Sequence, residues 1–305
     1  MRRSVRVNLV AMSLASRVRI PSKAWIGASQ LLGRAWPGGF ATRVRRPVFL
    51  ISSGRSGTTM LNALFNVHPE VANYPSEAND LWHPRLYPWA SSTVPAPPYW
   101  IDPPAFTAAS LAQRTAADDE ALHGTFGAFQ TLRRAPVLLV KSVMITFMID
   151  RVLGWFPDAR FVHLFRDGRA VAASWLIKDR HKLDAPRAQA SGLRFTDDEL
   201  LDHYLAYWRA SIDAVDAADT RFGLGAAGRL HQVSYEAVCA DPRHTLGALA
   251  TFMAIDPAPL VERDLGQIRS SNRKSREQLS EATKARLWDA ARDTLSRRGY
   301  GPEID

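Results

Sequence analysis

The stretch PVFLISSGRSGTTMLNALF, residues 47–65, constrains this chain more than any other. An apolar run enters a turn built from glycine, arginine, serine and threonine and leaves it as a run with helical character. A strand-turn-helix junction of this kind presents unpaired backbone N–H groups and a partial positive charge at the start of the helix. Gly54 and Gly57 let the backbone wrap closely around an anion, Thr58 and Thr59 add hydroxyl donors, and Arg55 adds a planar cation. The junction reads as an oxyanion cradle. The usual ATP or GTP loop places a Lys immediately before its Ser or Thr, and from Gly54 onward this chain reads GRSGTTML. No acidic residue ends the strand VLLV in the manner of a magnesium-holding Asp, so a donor that needs no divalent metal fits better.

A second junction, FVHLFRDGRAVAASW, has Arg166 at a strand end, Asp167 and Gly168 at the bend, and Arg169 near the helix start. Ser174 follows Arg166 by eight residues, about two helical turns. A strand-end Arg and a helix Ser can converge on one phosphate. Two anion sites at two strand-to-helix junctions suggest a nucleotide with phosphates at separate positions.

The rest of the chain supports an α/β class with a parallel sheet and ligands at the carboxyl ends of its strands. Strands are expected at 48–52, 135–143, 159–165 and 229–235, and helices from Thr58, over 144–157, from Gly168, over 197–220, from His244 and over 280–299. Residues 82–104, rich in Pro and aromatics, read as a long ordered loop or lid; Trp82, Tyr87, Trp89, Tyr99 and Trp100 either stack on an acceptor or pack on one another. A single cysteine, Cys239, rules out an intrachain disulfide and fits a reducing compartment.

Charge divides the 305 residues unevenly. Residues 1–46 carry ten Lys or Arg and no Asp or Glu, whereas residues 47–305 carry 29 basic and 30 acidic side chains. The net +9 therefore belongs to a basic amphipathic arm, 1–46, ahead of a near-neutral body, 47–305, and not to a nucleic-acid-binding face. The arm has no apolar run near the ~20 residues of a membrane span. It reads as a membrane-surface segment, a targeting peptide, a weak secretory signal or a helix whose charges face water.

GRSGTT after a strand, with RDGRAVAAS about a hundred residues later, resembles the sulfotransferases that use 3′-phosphoadenosine 5′-phosphosulfate (PAPS), and is closest to their bacterial and carbohydrate-type branches. NVHPEVANYPSE, the KS ending the second strand, VSYEAVCADP and the closing RRGY extend the likeness over most of 47–300. The resemblance implies a P-loop-like three-layer fold, a central parallel sheet flanked by helices. It also implies that Arg55, Ser56, Gly57, Thr58 and Thr59 hold the 5′-phosphosulfate and that Arg166 and Ser174 hold the 3′-phosphate. Arg273 and Lys274, in IRSSNRKSR, would close a basic loop over the adenosine bisphosphate end, or form a solvated basic stretch. Tyr235 approaches the adenine or is a core tyrosine.

For the chemistry, the resemblance makes Glu77 the base, with Asp80 able to share its role. Lys141, costly at a buried strand end without an anion, would stabilise the oxygen bridging sulfur and phosphorus. The small-molecule branch places its His base where Val143 stands. His68 reads as a helix stop and His163 as a core residue. The implied reaction is metal-independent, in-line sulfuryl transfer to a hydroxyl, less readily an amine, of a carbohydrate, lipid or other small molecule, in the cytoplasm or peripherally at a membrane through residues 1–46, with no nucleic-acid partner. A nucleotide kinase and a non-catalytic, membrane-associated nucleotide-binding protein are the alternatives.

Overall fold

The computed structural model describes residues 21–87, 96–183 and 195–304. Five strands, β1 (Pro47–Ile51), β2 (Val71–Asn73), β3 (Val137–Lys141), β4 (Arg160–Phe165) and β5 (Leu230–Ser234), form one parallel sheet in the order β2-β3-β1-β4-β5. β1 lies at the centre, and the chain reverses its direction of winding there, so its carboxyl end opens at the switch point where α/β sheets take ligands. β2 was not expected from the sequence.

Alternation along the strands builds two cores, one on each face. Phe49, Ile51, Leu138, Val140 and Phe161 meet helices α4 (Asn79–Trp82), α6 (Ala116–Arg133) and α7 (Ile149–Trp155) through Trp82, Phe126, Phe129 and Val152. Val48, Leu50, Val137, Leu139 and Val162 meet α3 (Thr58–Leu64), α10 (Tyr235–Ala240), α11 (Pro242–Met253) and α12 (Ala258–Val261) on the other side. A third cluster joins α8 (Gly168–Leu183) and α9 (Asp197–Phe222) to α14 (Glu281–Arg297) through Trp175, Tyr204, Trp208, Leu287 and Leu295. α9 starts at a reciprocal cap between Thr196 and Glu199 and ends at Gly223, whose φ of 60° glycine adopts without steric cost.

Residues 144–157, expected as one helix, form a 3₁₀ turn (Met144–Phe147) and then α7, because Met148 leaves helical geometry between them. The basic segment contributes two helices, α1 (Ser22–Ala35) and α2 (Pro37–Ala41), that pack on α6. Gly33 sits against the backbone of Gly124 and Thr125, and Trp25 meets Phe129 edge-on. Residues 1–20, the first half of the arm, and Trp89 lie outside the described residues. Of the aromatic segment, Trp82 is buried against Phe49, and Tyr99 and Trp100 pack on Trp175, Tyr204 and Tyr207 ahead of α5 (Pro103–Ala112). Trp82, Tyr99 and Trp100 thus pack on the protein itself, whereas Tyr87 is exposed.

Candidate active site

The loop between β1 and α3 is shaped by two aromatic rings. Gly57 adopts φ 94°, and a Cβ there would lie 2.5 Å from the Tyr235 ring; a Cβ on Gly54 would lie 2.5 Å from the Trp175 ring. Larger residues at either position would push the loop off these supports. Trp175 also donates from Nε1 to the Gly54 carbonyl, at 3.2 Å. The Ser56 hydroxyl is turned inward to Ser53, 2.8 Å away, and Thr58 is buried while Thr59 is exposed. No described residue accepts a hydrogen bond from the backbone N–H groups of Ser56, Gly57, Thr58 or Thr59. Such a run of unpaired donors is suited to an oxyanion.

The two arginines read from the sequence come together on this loop. Arg55, itself at φ 71°, reaches the Ser174 hydroxyl with Nε and Nη2, at 3.3 and 3.2 Å. Arg166 donates to the Arg55 carbonyl at 3.1 Å, to Asn272 Oδ1 at 2.7 Å and to Ser271 Oγ at 3.2 Å. Its guanidinium lies 4.6 Å above the centre of the Tyr235 ring. Burial pulls the proton affinity of Arg166 below the ordinary value, against the opposing pull of Tyr235, Glu236 and Asp167. An arginine buried this way, with no ion-paired carboxylate among the described residues, is suited to an anion.

A network behind Arg166 fixes its pose. Asn272 donates to Glu236 at 2.8 Å, and Tyr300 donates to the other oxygen of Glu236 at 2.8 Å. Burial, then Glu236, raises the Tyr300 hydroxyl's pKa, so it remains a donor. Ser271, Asn272, Glu236 and Tyr300 were not read as site residues. Arg273 and Lys274, which were, occupy the exposed side of α13 (Asn272–Gln278), and Arg273 faces Glu277 at 3.7 Å. Arg169 is fully buried: it pairs with Asp167 at 2.7 Å and donates to the carbonyls of Gly301, Pro302 and Glu303, so it anchors the carboxyl terminus. Tyr235 is a buried core residue whose ring supports the loop.

At the carboxyl end of β3, Lys141 Nζ meets Glu77 Oε1 at 2.5 Å. β3 is the neighbour of β1, so this pair sits beside the loop. The Lys141 side chain is 13% exposed and that of Glu77 31%, which puts the pair at a mouth open to solvent. Glu77 precedes Ala78, whose left-handed backbone (φ 52°) starts α4 and turns the carboxylate back over β3. Asp80 is engaged elsewhere, accepting from Gln30 of α1 at 2.6 Å. Tyr207 is fully buried beside the Gly54 backbone, and burial raises its pKa against the lowering pull of that backbone, with Glu77 adding to the rise.

The histidines behave as structural residues. His68 bonds the Asp256 carbonyl at 2.7 Å and accepts from Glu70 N. His163 is buried in β4 beside Gln232, and burial pushes its pKa down to about 4.

Residues 47–259 match the model of the sulfotransferase family. The fold is similar to several solved structures. A sulfotransferase domain from the curacin biosynthetic pathway shares 17% identity, covering 85% of this chain and 99% of its own, with a TM-score of 0.54. Sulfotransferase STF9 from Mycobacterium avium shares 15% identity over 90% of this chain and 84% of its own, also with a TM-score of 0.54. A sulfotransferase from Alicyclobacillus acidocaldarius shares 18% identity over 85% of this chain and 98% of its own, with a TM-score of 0.50. No curated protein matches the chain in sequence.

Proposed function

Because the chain belongs to the sulfotransferase family, we propose that it transfers a sulfuryl group from PAPS to a hydroxyl of a small carbohydrate, lipid or related acceptor, with an amine the lesser alternative. The observation that carries this reading is the Lys141–Glu77 pair standing beside an unpaired oxyanion loop.

Each residue then has a task. The N–H groups of Ser56, Gly57, Thr58 and Thr59 and the guanidinium of Arg55 would hold the 5′-phosphosulfate. Arg166 and Ser174 would hold the 3′-phosphate, with Arg273 and Lys274 adding positive charge over that end. In the transfer, an acceptor oxygen bonds to sulfur as the bond from sulfur to the 5′-phosphate oxygen breaks. Glu77 takes the acceptor's proton. Arg55 and the loop would take up the charge that grows on the departing phosphate, and Lys141 would stabilise the oxygen being released. In-line geometry supplies much of the rate, as in phosphoryl transfer. No metal is needed in this scheme.

The single cysteine and the basic segment 1–46 support a cytoplasmic reaction, peripheral at a membrane surface. The test is to incubate the protein with sulfur-labelled PAPS and glycan and lipid extracts in the presence of a chelator. Labelled product identified by mass spectrometry is the expected result. Binding of adenosine 3′,5′-bisphosphate without any labelled product would favour a non-catalytic role, and transfer that requires magnesium would favour a kinase-like one.

A further inference from the structure

The opposite edge of the sheet carries a second concentration of positive charge that the transfer reaction does not use. A cavity of about 580 Å³ is lined by Arg43, Arg45, Arg46 and Arg134, with Gln130 and Pro136. It lies where the chain enters β1 and β3, at the amino ends of the strands. A five-residue strand, about 17 Å long, separates it from the oxyanion loop.

This cavity is held open by a buried amide. Gln130, 4% exposed, accepts from Arg45 N at 2.8 Å and donates to the carbonyls of Arg45 and Ala135, at 2.9 and 3.1 Å. The clamp ties the segment before β1 to the segment before β3 and leaves the arginine side chains outward. Among the described residues, none of the four arginines forms an ion pair, and no carboxylate lines the cavity. Arg43 and Arg46 donate hydrogen bonds to neutral carbonyls, of Gly39 and of Met253 and Ala254.

Exposed apolar side chains occur on the elements that carry or adjoin these arginines. Trp36 is 61% exposed, and its ring meets Phe40, which in turn lies under the Arg43 guanidinium. Leu31 is 71% exposed on α1, and Leu132 stands beside Arg133 at the end of α6. Arg133 covers Trp25, near the start of α1, and residues 1–20 of the sequence hold five further arginines and no acid. Guanidinium groups beside an exposed indole and exposed leucines are the composition of an interfacial contact, in which cations meet phosphates and the apolar groups enter the headgroup boundary. A soluble anion would be bound by the arginines alone and would leave Trp36 and Leu31 without a role.

We propose that this face docks on an anionic phospholipid surface, with a headgroup phosphate in the arginine cavity and Trp36 and Leu31 at the headgroup boundary. No helix among the described residues is long and apolar enough to cross a membrane, so the contact would be peripheral. The inference is independent of the transfer reaction, because the oxyanion loop lies at the other end of the strands.

The experiment is co-sedimentation of the full chain with phosphatidylcholine vesicles and with vesicles containing about one-third phosphatidylglycerol. Binding to the anionic vesicles alone, weakened by salt, is expected. Each arginine near the surface should contribute about fivefold, so Arg45→Gln with Arg134→Gln should weaken partitioning about 25-fold. Trp36→Ser should also weaken it, and Arg292→Gln on α14 should leave it unchanged. Unaltered thermal unfolding checks that the variants fold; should the double variant fail this check, either single variant, at about fivefold, reads the same contact. Two results would overturn the proposal. One is equal vesicle binding by wild type and both single variants, which would assign any membrane contact to residues 1–20. The other is binding of inorganic pyrophosphate, lost in Arg134→Gln, by a wild type that ignores anionic vesicles.

Discussion

The two edges of the sheet hold their cations differently. At the carboxyl edge, Arg55 is steered by Ser174, Arg166 by Asn272 and Ser271, and Lys141 by Glu77. At the amino edge, Arg43, Arg45, Arg46 and Arg134 are exposed, and only backbone carbonyls and, for Arg43, the Phe40 ring hold any of them. Side-chain steering fixes a cation to within an ångström or so, which suits one ligand in one pose and the demands of a transition state. An exposed guanidinium on a long stem keeps its rotamers and suits a diffuse field of negative charge. Substitutions at the first edge should therefore change chemistry or ligand affinity sharply, and those at the second should act in small, additive, salt-sensitive steps.

The largest effect should come from Glu77→Gln. Removing a general base costs about 10²–10⁴ in rate, and kcat should fall by about 10³. Donor affinity, measured by calorimetry with adenosine 3′,5′-bisphosphate, should change less than about threefold, because the loop and Arg166 are untouched. Equal losses in rate and affinity would make Glu77 a positioning partner of Lys141 and erase the division of labour at this edge.

Next in size is Asn272→Ala. Arg166 would lose its shortest bond and Glu236 one of its donors, although neither Arg166 nor the loop is altered directly. A hydrogen bond to a charged group is worth about 1.5–3 kcal/mol, so donor affinity should drop about 10- to 100-fold with kcat at saturation largely kept. Unchanged affinity would mean that the steering at this edge is incidental, and the contrast with the amino edge would fail.

How much of this edge could be read from the sequence depended on whether a residue's role was local. The oxyanion loop and the Arg166 bend are contiguous motifs, and β1, β3 and β4 are apolar runs with clear flanks. β2 has three residues, set between His68-Pro69 and Tyr74-Pro75, and has no periodicity to detect. Within IRSSNRKSR, charge drew attention to Arg273 and Lys274, whereas the contacts to Arg166 come from the neutral Ser271 and Asn272. Those contacts bridge more than a hundred positions, and nothing in local spacing announces them. Arg169 shows the reverse: it belongs to a recognisable motif, yet its guanidinium is spent on Asp167 and the carboxyl-terminal carbonyls. Lys141 was legible because a lysine at a buried strand end needs an anion, and the structure supplies Glu77.

Between the two edges lies a purely structural group that should respond to acid. His163 is buried neutral in β4, with a folded pKa near 4 against an ordinary value of 6.5. The unfolded chain therefore takes up a proton that the folded one refuses as pH falls below 6.5. Its contribution is complete above that pH and is lost progressively on the way down towards 4. At about 1.4 kcal/mol per pH unit, His163 alone should remove about 2 kcal/mol between pH 6.5 and 5. His83, pushed to about 3 by burial and then by Arg114, adds a loss of the same sign over the same range. Denaturant unfolding at the two pH values measures the sum. A flat profile would show that water or local opening reaches these rings, and that acid sensitivity belongs to the charged edges instead.

The smallest effect should be that of Arg273→Ala and Lys274→Ala, and it tests the comparison most finely because these residues sit at the carboxyl edge but resemble those of the amino edge. Arg273 is 75% exposed in its side chain and meets Glu277 only at 3.7 Å. An exposed pair of this kind is worth well under about 1 kcal/mol, and cations in such positions act on a distant phosphate mainly through a field that salt screens. Each substitution should weaken donor binding about twofold at low ionic strength and have no effect near 1 M salt, where the screening length falls to about 3 Å. A loss of tenfold or more that persists in high salt would mean that α13 moves over the bound nucleotide and gives Arg273 or Lys274 a direct phosphate contact. Side-chain steering would then be acquired on binding at this edge, and the distinction between the two edges would lie in what the ligand orders rather than in what the free protein has already built.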